Sequence, residues 1–303
     1  MTRAYRDARW RQVVLPLDDA WLNVTEWGTA DADLTVVLTH GWTLSARIWE
    51  DVAASLVTAD PGVRVLAYDH RGHGRSARVS TASIEQLADD LADVVAQLVP
   101  AGPIVFGGHS LGGMVLVALA QRHPRIVAQR AAGVMFVATS AGDLMGAIRK
   151  VPGTETLMTA ALRGTARMAL PSRPLFLARQ GARGAFGKHP RRHDLNRVVR
   201  QGEQADPAAV AALGRSILDH RRYPALRAYR HLNVVAMAGT RDWLTPPIHA
   251  RRIAEQLPDS ELVVFDGAGH FLPYERREAV SAHLLNLIAK ARQSAQSRSG
   301  VAG

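Results

Sequence analysis

The strongest constraint on this 303-residue chain is a rhythm of short, unbroken apolar runs. Leu34–Thr39 reads "LTVVLT", Val63–Tyr68 "VRVLAY", Ile104–Phe106 "IVF", Val134–Ala138 "VMFVA", Asn233–Ala238 "NVVAMA" and Glu261–Phe265 "ELVVF". Continuous β-branched runs of this length suit strands covered on both faces. Between them, apolar residues recur at helical spacing. Ile48, Val52 and Leu56 share one face. Ile84, Leu87, Leu91, Val94 and Leu98 share another, and that segment opens on Ser83-Ile84-Glu85-Gln86, a capping box. Ala250, Ile253, Ala254 and Leu257 mark a third helix, and Val280, Leu284, Leu287 and Ile288 a fourth. Strands alternating with helices imply right-handed crossovers and an α/β fold: a mostly parallel sheet with helices on both faces. Two earlier runs, Val13–Leu17 and Trp21–Trp27, suit antiparallel strands at one edge.

The alternation stops between about Ala141 and Leu232. No strand-like run occurs there, and pieces such as "TLMTAALRGTARMAL" and "AAVAALGRSILDH" carry helical spacing. The expected organisation is a core of residues 1–140 and 233–290, a helical cap inserted at 141–232, and a disordered polar tail at 291–303. The inserted segment holds 17 Lys and Arg against 6 Asp and Glu, a net +11 beside a whole-chain net of +10. The excess therefore belongs to the insertion and not to the fold. Such a segment suits an anionic ligand or an acidic membrane surface, or simply reflects an arginine-rich composition. No nucleic-acid motif accompanies it. The chain has no cysteine, which excludes disulfides, thiolate metal sites and a cysteine nucleophile. The opening "MTRAYRDARWRQVV" has no apolar signal core, and the expected location is cytoplasmic.

Chemistry concentrates where strands end. Ile104–Phe106 leads into Gly108-His109-Ser110-Leu111-Gly112, and a helical segment follows. Gly-x-Ser-x-Gly between a strand and a helix is a nucleophile elbow, a sharp turn that lifts the serine hydroxyl above the sheet. Glycines flank it because side chains there would collide with the neighbouring strand and helix. The Leu111 N–H then points at whatever bonds to Ser110, aided by the helix N-terminus. A serine needs a base. His270 follows "ELVVFD" in the loop "GAGHFLPYE", where Gly267, Ala268 and Gly269 leave room for approach. Asp242 follows "NVVAMA" in "GTRDWLTPP". The order Ser110, Asp242, His270 is the one this elbow calls for. Asp266 and Asp143 are rival acids, and Asp242 also fits a turn-capping role before Thr245-Pro246-Pro247. A second oxyanion donor is expected from the Trp42 N–H in His40-Gly41-Trp42, with Gly41 letting the chain bend and His40 holding the loop. "YDHRGHGRS" brings Asp69, His70 and His73 close together, but its glycines mark a tight structural turn and no metal site is expected.

Taken together, His40-Gly41-Trp42, "DHRGHGRS", Gly108-His109-Ser110-Leu111-Gly112, Asp242 in "GTRDWLTP" and His270 in "GAGHFLP" resemble the α/β-hydrolase superfamily, nearest to its bacterial esterase/lipase and cofactor-free haloperoxidase-like branch. The resemblance implies an eight-stranded sheet and a cap inserted after the sixth strand. Members with aspartate at the elbow are dehalogenases and epoxide hydrolases, and serine here argues against both. The implied activity is ester hydrolysis on a small acyl substrate, apolar or anionic, without cofactor or metal. Thioesterase, lactonase and C–C bond hydrolase chemistry use the same residues, and a non-catalytic ligand-binding protein is the contrasting class.

Overall fold

The computed structural model describes residues 10–144 and 175–300. Eight strands form one sheet: β1 Trp10–Pro16, β2 Trp21–Trp27, β3 Leu34–Thr39, β4 Val63–Tyr68, β5 Ile104–His109, β6 Ala131–Val137, β7 Asn233–Gly239 and β8 Glu261–Phe265. Their spatial order is β1-β2-β4-β3-β5-β6-β7-β8. β2 runs antiparallel to β1 and β4, and every other neighbour pair is parallel. The core helices are α1 Glu50–Ala59, α2 Ile84–Leu98, α3 Leu111–Arg122, α4 Pro124–Arg130, α8 Pro247–Gln256, α9 Leu272–Glu275 and α10 Arg277–Gly300. The insertion contributes α5 Leu175–Arg183, α6 Arg192–Gln204 and α7 Pro207–Asp219.

The apolar runs are continuous because each strand feeds two cores. In β4, Leu66 and Tyr68 face one core, while Val63, Val65 and Ala67 face the other. The first core packs against Ile84, Leu87 and Leu91 of α2, Met114 of α3 and Ile253 of α8. The second takes Val52 and Leu56 of α1 with Val280, Leu284 and Leu287 of α10. Ser83 caps α2 as its sequence predicts, its hydroxyl accepting from the Gln86 N–H at 3.2 Å.

Strand order places the site. After β3 the chain steps outward to β4, then returns past β3 to lay down β5 on its other side. The loops leaving the carboxyl ends of β3 and β5 therefore diverge and open a crevice between them. Thr39 and Gly108 are register partners at that edge.

The insertion leaves after β6 and returns before β7 through a narrow neck. Gly142 bridges Arg221, and the Arg222 N–H donates to the Ala141 carbonyl at 2.7 Å. The predicted helical piece "TLMTAALRGTARMAL" lies outside the described residues. The tail departs from its expectation of disorder from residue 291, because α10 continues to Gly300. No proline interrupts it. Ala291 is buried, and the Arg292 guanidinium grips Asp33 and Asp60. Among the described residues no helix is long and apolar enough to cross a membrane.

One buried ion pair ties the loop after β4 to α2. Arg71 grips both Asp90 oxygens, at 2.8 and 2.5 Å, with side chains only 5% and 2% exposed. Asp90→Ala leaves the buried Arg71 guanidinium with only the exposed Asp19 carboxylate and should cost about 2–3 kcal/mol. Asp89→Ala, one residue away, breaks a half-exposed pair with Arg122 and should cost under about 1 kcal/mol. Urea unfolding of both variants checks this, and equal losses would refute it.

Candidate active site

The elbow is strained as its motif predicts. Ser110 has φ 53° and ψ −119°, a conformation that a non-glycine residue enters only when its surroundings enforce it. A Cβ on Gly108 would lie 2.6 Å from the Gly113 nitrogen, and one on Gly112 2.3 Å from the Thr39 carbonyl oxygen. Helix α3 can start this close to the sheet only without those side chains. The Ser110 N–H donates to the Val137 carbonyl at 2.9 Å. The Ser110 carbonyl accepts from the Gly113 N–H at 2.9 Å and from the Thr139 hydroxyl at 2.6 Å. In a trans peptide the next N–H points opposite to that carbonyl. Thr139 therefore aims the Leu111 N–H outward from behind, at a helix start where amides lack intrahelical partners.

The loop after β3 follows the same logic. The His40 Nε2 accepts from the His70 N–H at 2.9 Å, which places the ring proton on Nδ1, and Nδ1–H donates to the Gly41 carbonyl at 2.8 Å. With that carbonyl pinned, the Trp42 N–H of the same peptide is fixed in the opposite direction. The Trp42 indole N–H donates to the Val210 carbonyl of α7 at 2.9 Å. Gly41 serves differently from its sequence expectation. The left-handed bend falls on Thr43, φ 61°, while Gly41 lets the loop approach the His109 ring, whose Nδ1 lies 2.9 Å from where a Cβ would sit.

Asp242 and His270 meet across the loops that follow β7 and β8. The His270 Nδ1–H donates to Asp242 Oδ2 at 2.8 Å, and both residues are buried. Asp242 Oδ1 accepts from the Leu244 and Thr245 N–H groups, each at 2.9 Å, and Oδ2 also accepts from the Thr245 hydroxyl at 2.7 Å. The turn-capping and imidazole-facing roles of Asp242 thus coexist, one on each oxygen. Burial pushes the Asp242 carboxyl up, but the charge and hydrogen bond of His270 and the Thr245 bonds hold it below the ordinary aspartate range. With Nδ1 protonated, Nε2 is the ring's free base. His109, adjacent to Ser110, donates from Nε2 to the His270 carbonyl at 2.9 Å, and the two rings lie 4.9 Å apart. The rival acids sit elsewhere. Asp143 is half-exposed and pairs with Arg221, and Asp266 accepts from the Thr240 hydroxyl.

Sequence reading missed Thr139 and Thr245. Both act through hydrogen bonds to groups that spacing does not locate, although Thr245 stands three residues past Asp242, where an Asp side chain closes a turn. The "DHRGHGRS" loop is a backbone scaffold. His70 donates from Nε2 to the His40 carbonyl, His73 bonds the Arg71 carbonyl and the Thr43 N–H, and Asp69 accepts from the Ala46 and Arg75 N–H groups. Among the described residues no group of His, Asp and Glu is arranged to hold a metal ion.

Comparison with known proteins identifies the family. A family model described as alpha/beta hydrolase fold matches residues 35–276. An uncharacterized protein of Mycobacterium tuberculosis is 30% identical over 251 residues, spanning 78% of this chain and 70% of that protein. A pimeloyl-acyl-carrier-protein methyl ester esterase of Vibrio vulnificus is 26% identical over 275 residues, spanning 87% and 98%. Among solved structures, an esterase from Exiguobacterium antarcticum superposes with TM-score 0.78 at 18% identity, covering 92% of this chain and all of that one. A thermophilic esterase from Thermogutta terrifontis gives 0.72 at 24% identity, covering 94% and 99%. At these identities the structural likeness concerns the fold.

The histidines around the site are neutral by burial. It drives His70 to about 3, His73 to about 4 and His109 to about 3, and His40 well below its ordinary 6.5. Below pH 6.5 the unfolded chain takes up protons that the folded one refuses, so stability falls with acidity from about pH 6.5 to about pH 4. Each group contributes up to about 1.4 kcal/mol per pH unit. Urea unfolding at pH 7, 6, 5 and 4 reads this out. A flat profile would mean the rings protonate without cost.

Proposed function

Because this chain belongs to the α/β-hydrolase family, we propose that it is a serine hydrolase of carboxylic esters, acting through Ser110, His270 and Asp242. The observation that carries the reading is the buried Asp242–His270 pair beside a strained serine elbow. The methyl ester esterase named among its relatives supports the substrate class.

The roles follow from the atoms. His270 Nε2 takes the Ser110 hydroxyl proton as Oγ attacks the acyl carbonyl. The negative charge forming on the carbonyl oxygen is met by the Leu111 and Trp42 N–H groups, each worth roughly 10²–10³ in rate where a donor of this kind is removed. Both donors are aimed before substrate arrives, by Thr139 and His40 respectively, so no free energy is spent turning them during reaction. Collapse expels the alcohol, which leaves with the proton held on His270. His270 then deprotonates a water that attacks the acyl-enzyme, and the acid is released as Ser110 recovers its proton. Asp242 keeps the imidazole in the Nδ1–H tautomer and stabilises the imidazolium that forms twice per cycle.

His109 is a design constraint on this cycle. A second imidazolium beside His270 would oppose charging of the base. Its burial keeps it neutral while its Nε2–H holds the His270 carbonyl.

Hydrolysis of p-nitrophenyl esters from acetate to palmitate tests the proposal. Wild type should turn over part of the series, and Ser110→Ala should abolish turnover while its melting temperature stays close to wild type. Asp242→Asn, which keeps the shape but destroys the tautomer preference, should lower kcat by about 10⁴-fold. Ester hydrolysis retained in Ser110→Ala would remove the serine from the mechanism.

A further inference from the structure

The insertion reaches the catalytic base through one strap of chain. Residues 182–188, "ARGAFGK", lie across residues 267–271, "GAGHF". The His270 N–H donates to the Ala185 carbonyl at 2.8 Å, and the Lys188 N–H donates to the Gly267 carbonyl at 3.0 Å. Position 185 faces 270 and 188 faces 267, so the two segments pair antiparallel. They touch backbone to backbone. A Cβ on Gly187 would lie 2.1 Å from the Gly267 carbonyl oxygen, and one on Gly269 2.4 Å from the Phe186 carbonyl carbon. The open space that the small residues before His270 promise in sequence is filled by this strap. The Phe186 and Phe271 rings, 4.5 Å apart, and the Trp243 indole N–H, 2.8 Å from the Gly184 carbonyl, close its two sides.

One side chain joins the two segments. Glu275 Oε2 accepts the Gly187 N–H at 2.7 Å and the Gly269 N–H at 3.0 Å, and Oε1 accepts the Phe271 N–H at 3.1 Å. Gly269 and Phe271 flank His270. The carboxylate therefore collects one amide from the insertion and both amides beside the base. Bonds from amides to an ionised acceptor are shorter and stronger than neutral ones. Together with Ala185 on the His270 N–H and His109 on its carbonyl, they assign a partner to every backbone amide from 269 to 271.

We propose that Glu275 is a positioning residue that fixes the His270 backbone and couples the inserted segment to the catalytic base. The proposal rests on the serine-hydrolase reading above. Glu275 acts through His270 rather than on reacting atoms. The His270 Nε2 lies at the far end of the ring, so a small rotation of its backbone is magnified there. A misplacement of about 1 Å at a reacting group costs about 100-fold in rate. The strap transmits to the base any displacement of the insertion, so substrate held by the insertion and the activity of His270 are linked through Glu275.

Glu275→Gln keeps the shape but replaces one acceptor oxygen with an NH₂ that faces an amide donor. The full-length chain is labelled at Ser110 with a fluorophosphonate probe well below its melting temperature, and the His270 Nδ1–H proton is followed by NMR. Glu275→Gln should label roughly 10–100-fold more slowly than wild type, and its Nδ1–H signal should shift or broaden. Glu278→Gln, an exposed neighbour paired with Arg277, should change neither. Folded Glu275→Gln labelling within twofold of wild type, with an unchanged signal, overturns the proposal. Should Glu275→Gln fail to fold, Gly187→Ala decides. It pushes the strap off Gly267 and crowds the Glu275 carboxylate, whose Oε2 would lie 2.6 Å from the new Cβ, and a folded variant that labels at the wild-type rate overturns the coupling. If wild type is labelled no more than Ser110→Ala, the serine-hydrolase reading falls and takes this proposal with it. Labelled wild type beside an equally fast Glu275→Gln sinks this proposal alone.

Discussion

Between β3 and β5 the chain reverses the side on which it adds strands, and the two loops that leave those strands are forced apart. That separation lets a helix begin almost in contact with the sheet. Gly112 lies under the Thr39 carbonyl, and Gly108 lies under the first turn of α3. The strain at Ser110 is the local cost of this close start, of the order of 1–3 kcal/mol. Two covered faces meet it. α3 is almost wholly buried, and the cores on either side of the sheet leave it no other place to sit.

The same rigidity reaches the two candidate oxyanion donors. Neither is held by its own N–H. Each is aimed by a hydrogen bond to the carbonyl on the other side of its peptide plane, from Thr139 in one case and His40 in the other. This leaves the N–H groups themselves free for a ligand. His40 can serve only as a neutral ring with split donor and acceptor nitrogens, which explains why the cluster of His40, His70 and His73 is packed away from water. Both loops are built by backbone-directed side chains, with α6 and α7 adding outside supports. Gln201 accepts from the Ser45 N–H and hydroxyl, and Val210 accepts from the Trp42 indole.

Much of this was legible from sequence because it is local. The doubly covered strands betray themselves as unbroken apolar runs, and the elbow spacing reports a close approach only glycine permits. Ser110, Asp242 and His270 each stand a few residues past a strand, so topology alone brings them to one edge. What escaped depends on contacts between distant segments. Nothing around Thr139 announces that its hydroxyl meets a carbonyl twenty-nine residues earlier in the chain. The three glycine-rich positions before His270 read as empty space, whereas they accommodate a strap from eighty residues upstream. The polar tail looked unable to fold on composition, yet one arginine, Arg292, finds two aspartates on the core and carries the helix onward.

The neck at Gly142 and Arg221 has a consequence for how such a chain can change over evolutionary time. Its two ends are already held together, so the insertion is a closed loop hung from the sheet. Lengthening a flexible loop whose ends are fixed costs only about 0.6 kcal/mol for each doubling. The core can therefore exchange one inserted segment for another of different length at little expense to its own folding. The strap sets the opposite limit. Any replacement must still present a glycine-bearing stretch of backbone to the histidine loop and acceptors to Ser45 and Trp42, as Gln201 and Val210 do here, so the insertion is free in length and constrained at a few points of its sequence.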